Sequence, residues 1–374
     1  MKIRARHYRT GERVDVTCCD GHIVGIAAAG RDGADLTAEW VAPTLFDLQI
    51  NGCQGHAFSS RKLTLDQIRE VADVCRQHGI AGLCPTLVTN SHEVITHGFN
   101  TLRRACEAEP TIAAALPCFH LEGPYLSPQD GPRGAHPKEH IRPPDWDEFN
   151  SWQDAAGGRI RLVTLSPEHD QALAFIERLT ASGVVVAIGH TAATGPRILE
   201  AITAGARLST HLGNGAHAVL PRHPNYIWEQ LAADKLWASI IPDGHHLPPS
   251  VVKSIIRVKT PARTIITCDA SSLAGLPPGL YTEWDTELEV LPSGKIVVPN
   301  TPFLAGSGVF TDTCVGKAIE MAGIGLADAI DMSSARPREM LGLPMHGLEV
   351  GHPSKLMLFD WQPGGPIQVR TVID

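Results

Sequence analysis

The sequence predicts an α/β protein: a (β/α)8 TIM-type barrel with a small β-sandwich domain assembled from both chain ends. Eight apolar, strand-like runs lie between residues 40 and 268 and alternate with segments of helical period. Near-continuous apolar strands separated by helices signal a parallel sheet covered on its faces. Eight such units in a chain of this length suit a closed barrel. Short strand-like pieces at both ends of the 374 residues can pair only if the ends meet. The expected division is 1–40 with 345–374 as the sandwich and 41–344 as the barrel. Periodicity is blind to closure, so a doubly wound open sheet shares these signals.

In chain order, Lys2–Ala5, Val14–Cys18 and His22–Ala27 read as short strands, followed by the Gly30–Gly33 break. Barrel strands are expected at Trp40–Gln49, Ile80–Val88, Ala115–Leu121, Ile160–Leu165, Val184–Gly189, Arg207–Thr210, Trp237–Ile241 and Thr264–Cys268. Thr64-Leu-Asp-Gln67 forms a capping box, Leu65, Ile68, Val71, Ala72 and Cys75 follow a 3.6 period, and Gly79 supplies the stop. Further helices are expected over Ser91–Ala108, His169–Ala181, Gly195–Ala204, Tyr226–Ala233 and Pro249–Val258, then Gly308–Gly323 and Leu326–Leu341. Tyr281–Pro299, centred on Leu291-Pro-Ser-Gly-Lys295, reads as a hairpin inserted after the eighth strand. Lys355–Phe359 and Ile367–Val372 complete the terminal strands.

Composition narrows the function classes. With 43% hydrophobic and 19% charged residues, the chain builds a large core and is neither disordered nor fibrous. A net charge of −8 argues against sequence-independent nucleic-acid binding. No apolar run approaches the roughly 18 residues of a membrane span, and the charged N-terminal segment lacks the apolar stretch of a secretory signal. Nine cysteines without a CxxC pair fit a reducing, cytoplasmic setting. The 18 histidines outnumber Phe (9), Met (6) and Tyr (4), although histidine is costly to bury.

Histidines and carboxylates stand where the strands end, and in a barrel the C-terminal strand ends carry the active site. Asp47, Gln49, Asn51 and Gly52 follow strand 1; His120, Glu122 and Gly123 follow strand 3. His190 ends strand 5, His211 strand 6, Asp243-Gly-His245-His246 strand 7 and Asp269 strand 8. Glu122, His190 and His211 make a donor set for a catalytic divalent metal with open positions. Asp269 then suits a general base. Singly, each has an ordinary explanation: a hydrogen-bonded core histidine, a turn-capping Glu122, a helix-capping Asp269. Their joint placement across the strand ends has no such explanation.

His120-Leu-Glu122-Gly-Pro-Tyr, Ile188-Gly-His190-Thr-Ala-Ala-Thr, Thr210-His211-Leu-Gly-Asn214, Asp243-Gly-His-His246 and Cys268-Asp269-Ala resemble the motifs of the N-acetylglucosamine-6-phosphate deacetylases, in the amidohydrolase superfamily. The resemblance covers nearly the whole chain. It implies a barrel that removes acetate from N-acetylglucosamine 6-phosphate, with one divalent metal held by Glu122, His190 and His211 and Asp269 as the catalytic aspartate. Zn²⁺ suits that set, and Fe²⁺, Co²⁺ and Mn²⁺ also accept it. Gln49 and Asn51 occupy the positions of the superfamily's strand-1 His-x-His pair, and amides are poor ligands, so a second metal is not expected there. The resemblance further implies substrate contacts from Ala135, His136, Asn214, Gly215, His246 and the closing loop Leu304-Ala305-Gly306. It implies a homodimer in which Arg222 reaches the neighbour's phosphate. Leu212-Gly-Asn214-Gly-Ala216 departs from the family's Leu-Tyr-Asn-Ala-Met, and Pro43-Thr-Leu45 from its Pro-Gly-Phe. These departures touch the sugar and phosphate pocket and leave the metal donors intact. The residues alone leave open another N-acyl sugar, an N-acyl amino acid, a cyclic amide or a catalytically silent binding barrel.

Overall fold

A computed structural model describes residues 1–283, 286–301 and 303–373; residues 284–285 of the expected hairpin and residue 374 of the expected terminal domain lie outside them. Eight parallel strands follow one another around a single sheet: Leu45–Ile50, Ile80–Val88, Phe119–Glu122, Ile160–Leu165, Val185–Ile188, Leu208–Ser209, Trp237–Ile240 and Thr264–Ile266. A parallel bridge from Ile50 to Ala270 joins the first strand to the segment after the eighth, so the sheet curls into a barrel.

Asp47 fastens that seam. Its carboxylate accepts from Thr267 Oγ1, from Cys268 N at 2.9 Å and from Thr311 Oγ1 at 2.6 Å, and from Gln49 N at 2.8 Å within its own strand. Burial pushes its carboxyl up, and these hydrogen bonds oppose the rise. Both oxygens are committed, so this strand-end carboxylate serves the scaffold.

The barrel interior is layered by strand alternation. Cys84, Cys118, Leu162 and Leu208 belong to an apolar layer with Phe46, Leu48, Trp237 and Ile265. Two residues further on, on the same face, stand Thr86, His120, Thr164 and Thr210, all buried and mutually bonded. Thr86 Oγ1 donates to the Cys84 carbonyl, so it accepts from His120 Nδ1, and His120 Nε2 in turn accepts from Thr164 at 2.8 Å. Burial lowers His120 to about 4, so it stays neutral. It is a core histidine beneath the site.

The chain ends form a separate six-stranded sheet in the order Gln368–Ile373, Leu356–Asp360, Leu36–Pro43, Lys2–His7, Arg13–Cys19, His22–Ala28. The run expected as one strand, Trp40–Gln49, is therefore two strands in two sheets. They change over at Thr44, whose N–H donates to Lys355 O at 3.1 Å. Val41, Ala42, Leu45 and Phe46 are buried on either side, so hydrophobicity does not register the change. The expected strand Ala115–Leu121 begins at Phe119, because Pro110 opens a short helix, Pro110–Ala115. The helix expected over Leu326–Leu341 is two, Leu326–Met332 and Ala335–Leu341. Between them the Ser333 and Ser334 hydroxyls fold back onto the carbonyls of Ala329 and Ile330, offering the backbone an alternative to helix. The helix Trp146–Ala155, capped by Asp145 on Glu148 N, has a capping-box spacing that the sequence reading passed over. After the eighth strand, Gly279–Glu283, Thr286–Val290 and Ile296–Val297 form a small antiparallel sheet over Leu273, Leu288, Val290 and Ala305.

Candidate active site

Three strand-end residues hold a left-handed backbone that side chains with a Cβ disfavour: His190 (φ 48°), His211 (φ 31°) and Asp269 (φ 52°). Strain of this kind persists where the surroundings over-determine it, and it concentrates at functional sites. The neighbouring backbone supplies that determination. His211 N donates to Ser239 Oγ at 2.8 Å, and the Asp269 carbonyl accepts from Ser307 N at 2.8 Å.

These turns gather the polar side chains over the barrel mouth. Glu122 Oε1 lies 3.4 Å from His190 Nε2 and 3.1 Å from His211 Nε2, and the two nitrogens are 3.0 Å apart. His136 Nε2 lies 3.3 Å from His190 Nε2, so the expected sugar contact also borders the donor cluster. Glu122, His136 and His190 each place a donor atom within 4.8 Å of the others. His190 Nδ1 lies 2.8 Å from the Pro132 carbonyl, which only accepts; Nδ1 therefore carries the proton and Nε2 turns a lone pair inward. Two imidazole nitrogens and a carboxylate oxygen thus converge on one point. In a tetrahedral site with Zn–N and Zn–O bonds near 2.0–2.1 Å, neighbouring ligand atoms sit about 3.3 Å apart. The triangle of 3.0, 3.1 and 3.4 Å matches that edge, and the donor set fits a divalent cation.

The electrostatics divide the two carboxylates. Burial would push Glu122 up, but the adjacent His190 and His211 imidazoles outweigh that and hold it well below the usual range. Asp269 goes the other way, to about 7, through burial first and the Glu122 charge second. Asn51 Nδ2 donates to Asp269 Oδ1 at 2.8 Å and limits the rise. One carboxylate is thus committed to charge and the other poised near neutrality, the division expected of a ligand and a base. Asn51 reaches the cavity with a buried, unpartnered Oδ1, while Gln49, buried with Nε2 unpartnered, does not line it.

A cavity of about 380 Å³, within the range of small-molecule sites, opens over this cluster. Ala135, His136, Asn214, Gly215, Leu304, Ala305 and Gly306 line it, as do both His245 and His246. Asp243 Oδ1 takes the N–H groups of both histidines at 2.8 Å, and Oδ2 takes His246 Nδ1 at 2.7 Å, which fixes that ring. Among the lining or supporting residues that the sequence does not single out are Thr89 and Lys295. Thr89, just past the second strand, places Oγ1 2.9 Å from His136 Nδ1; Lys295 enters from the hairpin. Thr89 stands at a strand end like the others and could have been found there. No periodic signal marks Lys295.

Comparison with known proteins bears on what the site does. No family model matches the chain. A Bos taurus N-acetylglucosamine-6-phosphate deacetylase is 35% identical over 317 residues, which span 81% of this chain and 75% of that protein. The chain belongs to the N-acetylglucosamine-6-phosphate deacetylase family of the amidohydrolase superfamily. An N-acetylgalactosamine-6-phosphate deacetylase of Escherichia coli O157:H7 is 30% identical over 328 residues, 87% of this chain and 84% of that one. A Mycobacterium smegmatis N-acetyl-D-glucosamine-6-phosphate deacetylase, solved with N-acetyl-D-glucosamine-6-phosphate, superposes with a TM-score of 0.88 at 29% identity, covering 99% and 97% of the two chains.

For this member of the deacetylase family, the 304–306 loop is tied to the Asp269 backbone through Ser307 N. Gly306 has φ 71°, and a Cβ there would lie 2.9 Å from Asp269 O and 3.1 Å from Ser271 N. Gly306→Ala is therefore expected to destabilise by about 1–3 kcal/mol through backbone strain and to lower kcat by displacing Asp269. Thermal melting and steady-state kinetics check it; unchanged values would mean the loop yields freely. Arg222 is exposed and lies outside the cavity lining of its own chain.

Proposed function

We propose that the chain is a metal-dependent deacetylase that hydrolyses N-acetylglucosamine 6-phosphate to glucosamine 6-phosphate and acetate in amino-sugar catabolism. The Glu122–His190–His211 triangle beside an Asp269 raised to about 7, inside one cavity, carries the reading. A divalent cation held by Glu122, His190 and His211, with Zn²⁺ the first choice, supplies Lewis acidity toward water and the acetyl carbonyl. Asp269, aimed by Asn51, takes the proton of the attacking water and returns it to the departing nitrogen, so that acetate and the free amine leave. With Thr89 donating to Nδ1, neutral His136 offers its Nε2 proton to the acetyl oxygen. Ala135, Asn214, Gly215, His246 and the 304–306 loop enclose the sugar and its phosphate. Arg222, outside its own cavity, is assigned to a partner's phosphate in a homodimer. The division into a terminal domain (1–40 and 345–374) and a barrel (41–344), and a cytoplasmic location, belong to the same reading.

The E. coli relative favours a second substrate, the galactosamine epimer. Turnover of both N-acetylhexosamine 6-phosphates, both free sugars and an N-acyl amino acid, at defined metal content, tests the assignment. A phosphorylated N-acetylglucosamine preferred by at least about a hundredfold in kcat/KM is expected, as two charge-assisted contacts provide. Equal turnover of the free sugar contradicts the phosphate reading.

A further inference from the structure

Apart from the divalent cation proposed above, the cavity offers little positive charge. Its lining holds the carboxylates of Glu122 and Asp269, and among the described residues the one lysine or arginine that lines it is Lys295. The chain as a whole carries −8. A phosphomonoester entering such a site needs a cation away from the carboxylates. Of the other polar side chains here, His246 and His136 use Nδ1 on Asp243 and Thr89, and the Asn214 amide donates to the His211 carbonyl, so none supplies a fixed cation.

We propose that Lys295 is a specificity-determining residue, whose ammonium, delivered by the inserted hairpin, binds the phosphate of the substrate from the same chain that carries the metal donors. The inference rests on the phosphosugar reading above and adds a residue to it.

The hairpin aims this side chain. Ile296 is fully buried in the small core with Leu273, Leu288 and Val290, and Lys295, the residue before it, lines the cavity. Its backbone is pinned on both sides. Leu291 N donates to the Lys295 carbonyl at 2.9 Å, Ala305 N donates to the Ile296 carbonyl at 3.2 Å, and Val297 bridges Leu304. Gly308 meets the Gly294 carbonyl so closely that a Cβ on Gly308 would lie 2.0 Å from its oxygen, which presses the hairpin turn onto the closing loop. The base of the lysine is thus fixed while its head is free: half-buried, Nζ has no hydrogen-bond or ion-pair partner among the described residues. An ammonium on a four-carbon stem suits a phosphate as a point charge.

The test compares wild type, Lys295→Met and Lys295→Arg at matched metal content, on N-acetylglucosamine 6-phosphate and on N-acetylglucosamine. Lys295→Met is expected to reduce the preference for the phosphorylated sugar about tenfold, through KM for the phosphosugar with little change in its kcat. Lys295→Arg should restore most of it, and matching melting temperatures show that the fold is intact. A wild type that prefers the phosphosugar, with a Lys295→Met that keeps that preference, overturns the Lys295 assignment alone. A wild type with no preference overturns the phosphate reading and this inference with it.

Discussion

Asp269→Asn is expected to lower kcat by about 10²–10⁴, the span associated with a positioned acid–base group, while bound metal stays at the wild-type level. Asn keeps the shape of the side chain, and its carbonyl oxygen still accepts from Asn51, so the geometry survives and only the basic oxygen is lost. Asp269 is not among the converging donors, so metal content is the control that separates lost chemistry from a lost site. The pH dependence follows from the sign of the shift. The base works deprotonated, so activity falls as pH falls through the Asp269 pKa. That value is about 7 from burial and the Glu122 charge; a cation in the donor triangle favours the carboxylate and moves the acid limb below 7. Removing the Asn51 amide removes a hydrogen bond that lowers the pKa, so Asn51→Ala should move the limb upward. An Asp269→Asn enzyme with near wild-type turnover, or an acid limb that ignores Asn51, would dismiss Asp269 as the base.

The barrel was legible because its signals are local. Most strands are short apolar runs, several helices have their own stop or cap, and the polar residues fall directly behind the strands. Glu122, His190, His211 and Asp269 could be picked out for that reason. What was not legible depends on contacts between distant segments. Thr44 separates two sheets, yet its flanks are equally buried, and no sequence period distinguishes one buried sheet from another. Asp47 lies within the first strand and Asn51 just past its end, four residues on. One closes the seam through Thr267, Cys268 and Thr311, and the other orients Asp269, partners more than 200 residues away. His120 shares a motif with Glu122, but strand alternation buries it in the layer of threonines below. His136 could be placed in a loop by sequence, but its approach to His190 rests on how the loop over Gly131 and Gly134 folds back.

Removing the metal should have the other large effect. Chelation and dialysis are expected to abolish turnover, and a return of Zn²⁺ to restore it, with Fe²⁺, Co²⁺ and Mn²⁺ as the comparison series. The argument is the mutual approach of the donors. Glu122, His190 and His211 are nearly excluded from water, with side chains 3%, 9% and 3% exposed, so solvent hardly competes for these donor atoms. Without a cation, His190 Nε2 and His211 Nε2 rest against Glu122 Oε1 at 3.4 and 3.1 Å. That arrangement ties up the nitrogen atoms and leaves Asp269 protonated below about pH 7, so the base is disabled together with the electrophile. A ligand that binds only the folded state also stabilises it, by about 2.7 kcal/mol at a hundred times its dissociation constant. The metal-free protein should therefore melt several degrees lower and recover on metal addition. Glu122→Gln offers an independent check, since it retains the side-chain volume but removes the charge; it should lower metal affinity and turnover together. If the chelated protein keeps its melting temperature and its turnover, the triangle is an ordinary hydrogen-bonded cluster. If metal never binds and added Zn²⁺ produces no hydrolysis, the barrel is a binding scaffold whose strand ends merely resemble a catalytic site.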